Sequence, residues 1–68
     1  MNFSENLANV RRSKNLTQAE IARQAGIPVR SYQRYESGEQ EPTLSKLTAI
    51  ADALGVSIDE LVGRNSSS

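Results

Sequence analysis

Cysteine and histidine are both missing from this chain of 68 residues. Without cysteine there are no disulfides. Without either residue, zinc-finger ligand sets and the commonest general base are gone as well. That composition fits a reducing compartment. Long apolar runs are also lacking: nothing approaches a membrane span or the core of a signal peptide, so a soluble, cytoplasmic chain without a membrane is expected. Serine and lysine are present, but no spacing suggests an activated nucleophile, and no glycine-rich phosphate loop occurs. The expectation is no enzyme, no catalytic residue, no cofactor and no metal site.

Net charge is lacking too, at zero overall. Divided by position, the picture changes. Up to Arg34 there are six basic residues (Arg11, Arg12, Lys14, Arg23, Arg30, Arg34) against Glu5 and Glu20. From Tyr35 onward there are two (Lys46, Arg64) against Glu36, Glu39, Glu41, Asp52, Asp59 and Glu60. The two parts therefore carry +4 and −4. A domain polarised in this way can turn a basic end toward phosphate and an acidic end away. The length allows one small domain, near the lower limit of what an apolar core alone can hold.

What is present is helical punctuation. Phe3, Leu7 and Val10 recur with amphipathic spacing, behind Asn2 or Ser4 as a cap, with Glu5 at the capping-box distance from Asn2. Arg11, Arg12 and Lys14 load the last turn, serving the helix dipole or phosphate attraction. Thr17 and Glu20 form a capping box, with Leu16 and Ile21 as its hydrophobic staple. Ile21, Ala22 and Ala25 make one apolar face before Gly26 turns the chain. Pro28 suits the first position of the next helix, where its missing N–H has no partner to lose.

In that helix Tyr32 and Tyr35 fall on one side, while Val29, Arg30, Gln33 and Arg34 spread over roughly the opposite arc. If the tyrosines pack inward, the other arc is a row of base-capable side chains. Arginine can fork onto guanine, glutamine onto adenine, and valine can meet a thymine methyl. A plain solvated face would show the same charges. Ser37 to Thr43 is a polar connection punctuated by Gly38 and Pro42. Thr43 then caps a helix whose Leu44, Leu47, Ile50, Ala51 and Leu54 are read as core, ending at Gly55. Ser57 and Glu60 suggest a second capping box with Val56 and Leu61 as staple, on a short helix stopped by Gly63. The fold class is all-α, five short helices. Residues 1–63 form the domain, and 64–68 are a mobile polar tail.

The chain resembles the lambda-repressor/Cro-type, or XRE-type, helix-turn-helix family. The matching residues are Leu7, Val10 and Arg11, then Leu16 to Ala22, Gly26, Glu36, Gly38 and Pro42. Leu47, Ile50, Ala51, Leu54, Gly55, Val56 and Leu61 complete the set, so the likeness runs over nearly the full length. The Thr17-Gln18 pair and the Glu36-Ser37-Gly38 ending of the third helix are its most specific pieces.

The resemblance implies a lambda-repressor-like domain with its helix-turn-helix at helices 2 and 3, the latter in the DNA major groove. It implies sequence-specific binding of double-stranded DNA as a transcriptional regulator, a repressor first, at a two-fold symmetric site. Carried over by position, Gln18 touches the backbone and an outer base pair. Thr17 sits near phosphate besides capping, and Ser37 contacts phosphate. Val29, Arg30, Gln33 and Arg34 face the bases. Two positions depart from the family's pattern. Val29 replaces a polar reader and offers a methyl contact, and Pro28 replaces a Ser or Thr cap and removes one backbone donor. An Arg11–Glu36 ion pair is implied in the same way, as is a weak homodimer, for which Ile58 and Val62 on the last helix offer apolar surface. Two other readings stay open: a protein-interaction module on the same fold with an unidentified partner, favoured by the acidic second half, and the DNA-binding fragment of a longer regulator.

Overall fold

A computed structural model of the chain describes residues 3–63. Among them the elements run α1 (Phe3–Ser13), α2 (Gln18–Ala25), α3 (Val29–Ser37), α4 (Leu44–Leu54) and α5 (Ile58–Val62), with no strand. The all-α, five-helix expectation stands. Asn2 and the 64–68 tail lie outside the described residues. Ser4 falls inside α1 and is not its cap.

The helix ends form largely as their sequences dictate. Thr17 Oγ1 accepts from the Glu20 amide at 3.1 Å, and the Thr17 amide donates to Glu20 Oε1 at 2.8 Å, completing the reciprocal box. The bond donated by the Thr17 amide is the largest cause holding the Glu20 carboxyl below its ordinary pKa. Thr43 and Ser57 cap α4 and α5 through their hydroxyls. At Ser57 only this half of the box is present among the described bonds; Glu60 does not return it. Gly26 closes α2 with φ 71°, and its N–H with that of Ile27 takes up the carbonyls that the helix end leaves free. A side chain at Gly26 would meet no atom within 4 Å, so backbone conformation alone selects glycine there.

Packing places α1 against α3 and α5, and α2 against α3 and α4. Leu7, Ile21, Tyr32, Ile50 and Leu61 have no accessible surface and form the centre, one from each of the five helices. Tyr32 and Tyr35 do turn inward, meeting edge to face with ring centroids 6.4 Å apart. Two points depart from the sequence reading. Leu44 is not core: it is 72% exposed at the first residue of α4, while the buried residues of that helix, Ile50, Ala51 and Leu54, lie in its second half. Ile27, in the turn between α2 and α3, is buried to 5% exposure and joins the core instead.

Candidate nucleic-acid interface

Three elements build the candidate face. The α2 N-terminus supplies Thr17 and Gln18, the turn supplies Pro28, and α3 supplies Val29, Arg30, Gln33, Arg34 and Ser37. Burial of Tyr32 and Tyr35 fixes the rotation of α3, so Val29, Arg30, Gln33, Arg34 and Ser37 all end up exposed. Val29, at 41% exposure, is one of two large apolar side chains left open among the described residues. Arg30, Gln33, Arg34 and Ser37 line one shallow concavity of about 420 Å³, and Glu39 closes its far side. Glu39 is held there by its own amide, which donates to Ser37 Oγ at 3.2 Å and to the Arg34 carbonyl at 3.1 Å.

The front of α3 differs in one detail from expectation. Pro28 occupies the cap position and not the first helical position; the helix begins at Val29. Pro28 has ψ 139°, and its carbonyl takes the Tyr32 amide at 3.0 Å. Its ring offers no acceptor, so the first-turn amides of α3 have no side-chain cap.

Behind this face stands Glu36, whose role is wider than an ion pair. Arg11 Nε donates to Glu36 Oε2 at 2.6 Å, and Arg11 Nη2 to Oε1 at 3.1 Å. Tyr32 Oη donates to Oε2 at 2.6 Å, and Gln18 Nε2 to Oε1 at 2.9 Å. Two oxygens thus receive four donors, which saturates an ionised carboxylate. Burial pushes the Glu36 carboxyl up in pKa, but the bonds from Arg11, Tyr32 and Gln18 outweigh it and hold the group below its ordinary value. Burial, then the bond to Glu36, pushes the Tyr32 phenol up, so it stays a donor. The bond to Glu36 likewise raises Arg11. The third arm of Arg11, Nη1, reaches the Leu16 carbonyl at 2.7 Å and ties the α1–α2 connection to the same group.

Gln18 and Gln33 are joined as well, Gln33 Nε2 donating to Gln18 Oε1 at 3.4 Å. Gln18 of α2 and Gln33 of α3 therefore meet, and Arg30, Gln33, Arg34 and Ser37 share one concave face, with a shielded charge cluster behind α3. A helix-turn-helix whose second helix is locked inward by tyrosines and outward-lined by arginine and glutamine is what this geometry describes.

A helix-turn-helix family model matches residues 7–61. The chain belongs to that family. This helix-turn-helix chain is 55% identical over 64 residues to the cryptic phage CTXphi transcriptional repressor RstR of Vibrio cholerae, covering 94% of this chain and 57% of the relative. It is 43% identical over 60 residues to the uncharacterized HTH-type transcriptional regulator YqaE of Bacillus subtilis, covering 88% and 52%. It thus spans little more than half the length of these curated relatives. Among solved structures, the P22 c2 repressor in complex with a synthetic operator superposes with a TM-score of 0.86 at 25% identity, over 94% of this chain and 97% of that one. The restriction-modification controller protein C.AhdI of Aeromonas hydrophila superposes at 0.84 with 27% identity, over 87% and 89%. The family's helix-turn-helix is α2 and α3 here.

The last helix is placed less simply than its sequence suggests. Ile58 is half-buried and already packs on the core. Val62 is half-buried in an apolar groove with Phe3, Pro42 and Leu47, edged by Glu41. Part of the surface expected to serve a second copy is therefore used within the chain. Among the described residues no helix is long and apolar enough to cross a membrane, and no cluster of metal-ligating side chains occurs. The sequence reading missed Gln18 and Tyr32 as partners of Glu36; their spacing in the chain carries no signal for that convergence.

Proposed function

We propose that this domain binds double-stranded DNA sequence-specifically and regulates transcription, acting in the cytoplasm as a repressor. The observation that carries the proposal is the exposed row Arg30, Gln33, Arg34 and Ser37 along one concave face of α3, with Val29 beside it and both tyrosines turned away. Arginine and glutamine on such a face match the donor and acceptor pattern of the major groove, and Val29 matches a thymine methyl. Thr17, Gln18 and Pro28 flank the row, where a helix N-terminus favours phosphate. The RstR and YqaE likenesses support a regulatory role, and the P22 c2 likeness supports operator recognition.

The balance of charge sets the strength. Zero net charge gives little general attraction to a polyanion. Glu39 inside the reading concavity opposes phosphate directly. One domain then binds modestly, and a two-fold site read by two copies supplies the remainder, with half-sites about one helical turn (roughly 34 Å) apart. We place the weak homodimer contact at Ile58 and Val62 of α5.

Selection of bound sites from random duplex DNA with the purified chain is the test. Recovery of a symmetric site, with binding that weakens steeply as salt rises, supports the proposal through counterion release from several phosphates. Failure to select any site, with no salt-dependent retention on DNA, would favour the protein-interaction reading of the acidic second half.

A further inference from the structure

The Glu36 side chain is only 6% exposed and reaches a solvent-facing reader through one chain of bonds. Its carboxylate can only accept, and Arg11 and Tyr32 already supply three of its four donors. The fourth comes from Gln18, which must turn its NH₂ group toward Glu36. That choice points the Gln18 carbonyl away, toward Gln33, where it accepts from Gln33 Nε2. Gln33 spends one N–H on this bond, which leaves its second N–H and its carbonyl for a base.

We propose that Glu36 is a specificity-determining positioning residue, setting through Gln18 the donor–acceptor polarity of the Gln33 amide. The proposal rests on the DNA-reading role of α3 and deepens it. A free glutamine can flip its amide end for end, presenting donor and acceptor in either order. A locked one presents a single order, which fits adenine N7 and N6 on one strand and mismatches the same pair inverted. Two flips of one amide differ only by a hydrogen bond, so even the long 3.4 Å link biases them. Val29, the first residue of α3, has no polar group to take the Gln18 carbonyl, which leaves that carbonyl to Gln33.

The test begins from the selected site of the wild-type chain. Gln33→Ala identifies the base pair at which preference relaxes. Gln18→Met and Glu36→Gln are then measured on duplexes carrying all four choices at that pair and at the pairs read by arginine. By the range for a bidentate contact, wild type prefers A·T over T·A there by roughly fivefold to 150-fold, falling to about twofold or less in both variants. Preferences at arginine-read pairs persist, and on the Gln33→Ala background neither variant shifts the preference at that pair any further, whatever affinity Gln18→Met loses evenly on all sequences. Gln18→Met carries the test if Glu36→Gln does not fold, since it leaves the Arg11, Tyr32 and Glu36 bonds in place. Loss spread evenly over all base pairs, or a preference that survives Gln18→Met, overturns the relay while leaving DNA reading intact. No selected site with wild type would remove the DNA-reading role, and the relay with it.

Discussion

Replacing Arg11 by methionine tests the charge cluster that holds α1, α2 and α3 together. The stem of the side chain is kept, and three bonds are lost: two to Glu36 and one to the Leu16 carbonyl. The Arg11 and Glu36 side chains are only 11% and 6% exposed, so water reaches the pair poorly. Stranding one partner of a shielded pair costs about 3–5 kcal/mol. Glu36 keeps Tyr32 and Gln18 as donors, which favours the low end of that range, about 3 kcal/mol. In a domain of this size each kcal/mol moves the melting temperature by about 4–8 °C, so Arg11→Met should melt about 12–24 °C lower. Arg12 is exposed one residue along, and Arg12→Met should cost at most about 0.5 kcal/mol.

The pH dependence supplies a second sign. Because the Glu36 pKa is lowered in the folded chain, its contribution is present above the unfolded pKa and is lost as pH falls through the folded value. Without Arg11 the folded pKa moves upward, so acid removes less. Thermal melts followed by circular dichroism from neutral pH down through the carboxylate range should show the two curves converging in acid. Equal melting temperatures for Arg11→Met and Arg12→Met at neutral pH would refute the argument.

Arg34→Ala, measured against operators differing at single base pairs, should relax preference at one step by about 1–3 kcal/mol and at its mirror in the other half-site; a uniform loss would make Arg34 a phosphate contact. Ile58→Asp should weaken self-association in sedimentation and weaken operator binding in parallel; no change in either would place the dimer contact elsewhere. Ile50→Ala, at a side chain with no exposure, should cost about 2–5 kcal/mol in urea denaturation, whereas Leu44→Ser at the exposed start of α4 should be nearly neutral. Comparable losses for the two would contradict the core assignment.

What was legible in the sequence was local. Thr17 with Glu20 and the glycine after α2 announce themselves within four or five residues, because a cap is a bond between near neighbours. The inward turn of Tyr32 and Tyr35 was legible from period alone, and with it the outward row on α3. Leu44 misled because period identifies a face but not how far along the helix that face stays covered. Ile27 was missed because a turn residue belongs to no helical stripe, and only the packed core shows the space it fills. The Arg11–Glu36 pair followed from resemblance. The additional bonds from Gln18 and Tyr32 depend on α2 and α3 meeting at one crossing, and spacing along the chain does not report such crossings.

The two tyrosines carry one more consequence. The chain has no tryptophan and a single phenylalanine, so nearly all of its near-ultraviolet absorption and emission arises on α3. One of those phenols donates to a carboxylate and lies edge-on to the other at 78°, an asymmetric setting that a loosened helix would lose. Tyrosine signals are therefore a built-in reporter of whether the third helix is docked. The remaining four helices are nearly silent in that band and visible only in the peptide region. Comparing the two bands during a melt or a titration separates release of this one helix from unfolding of the whole domain, with no label attached.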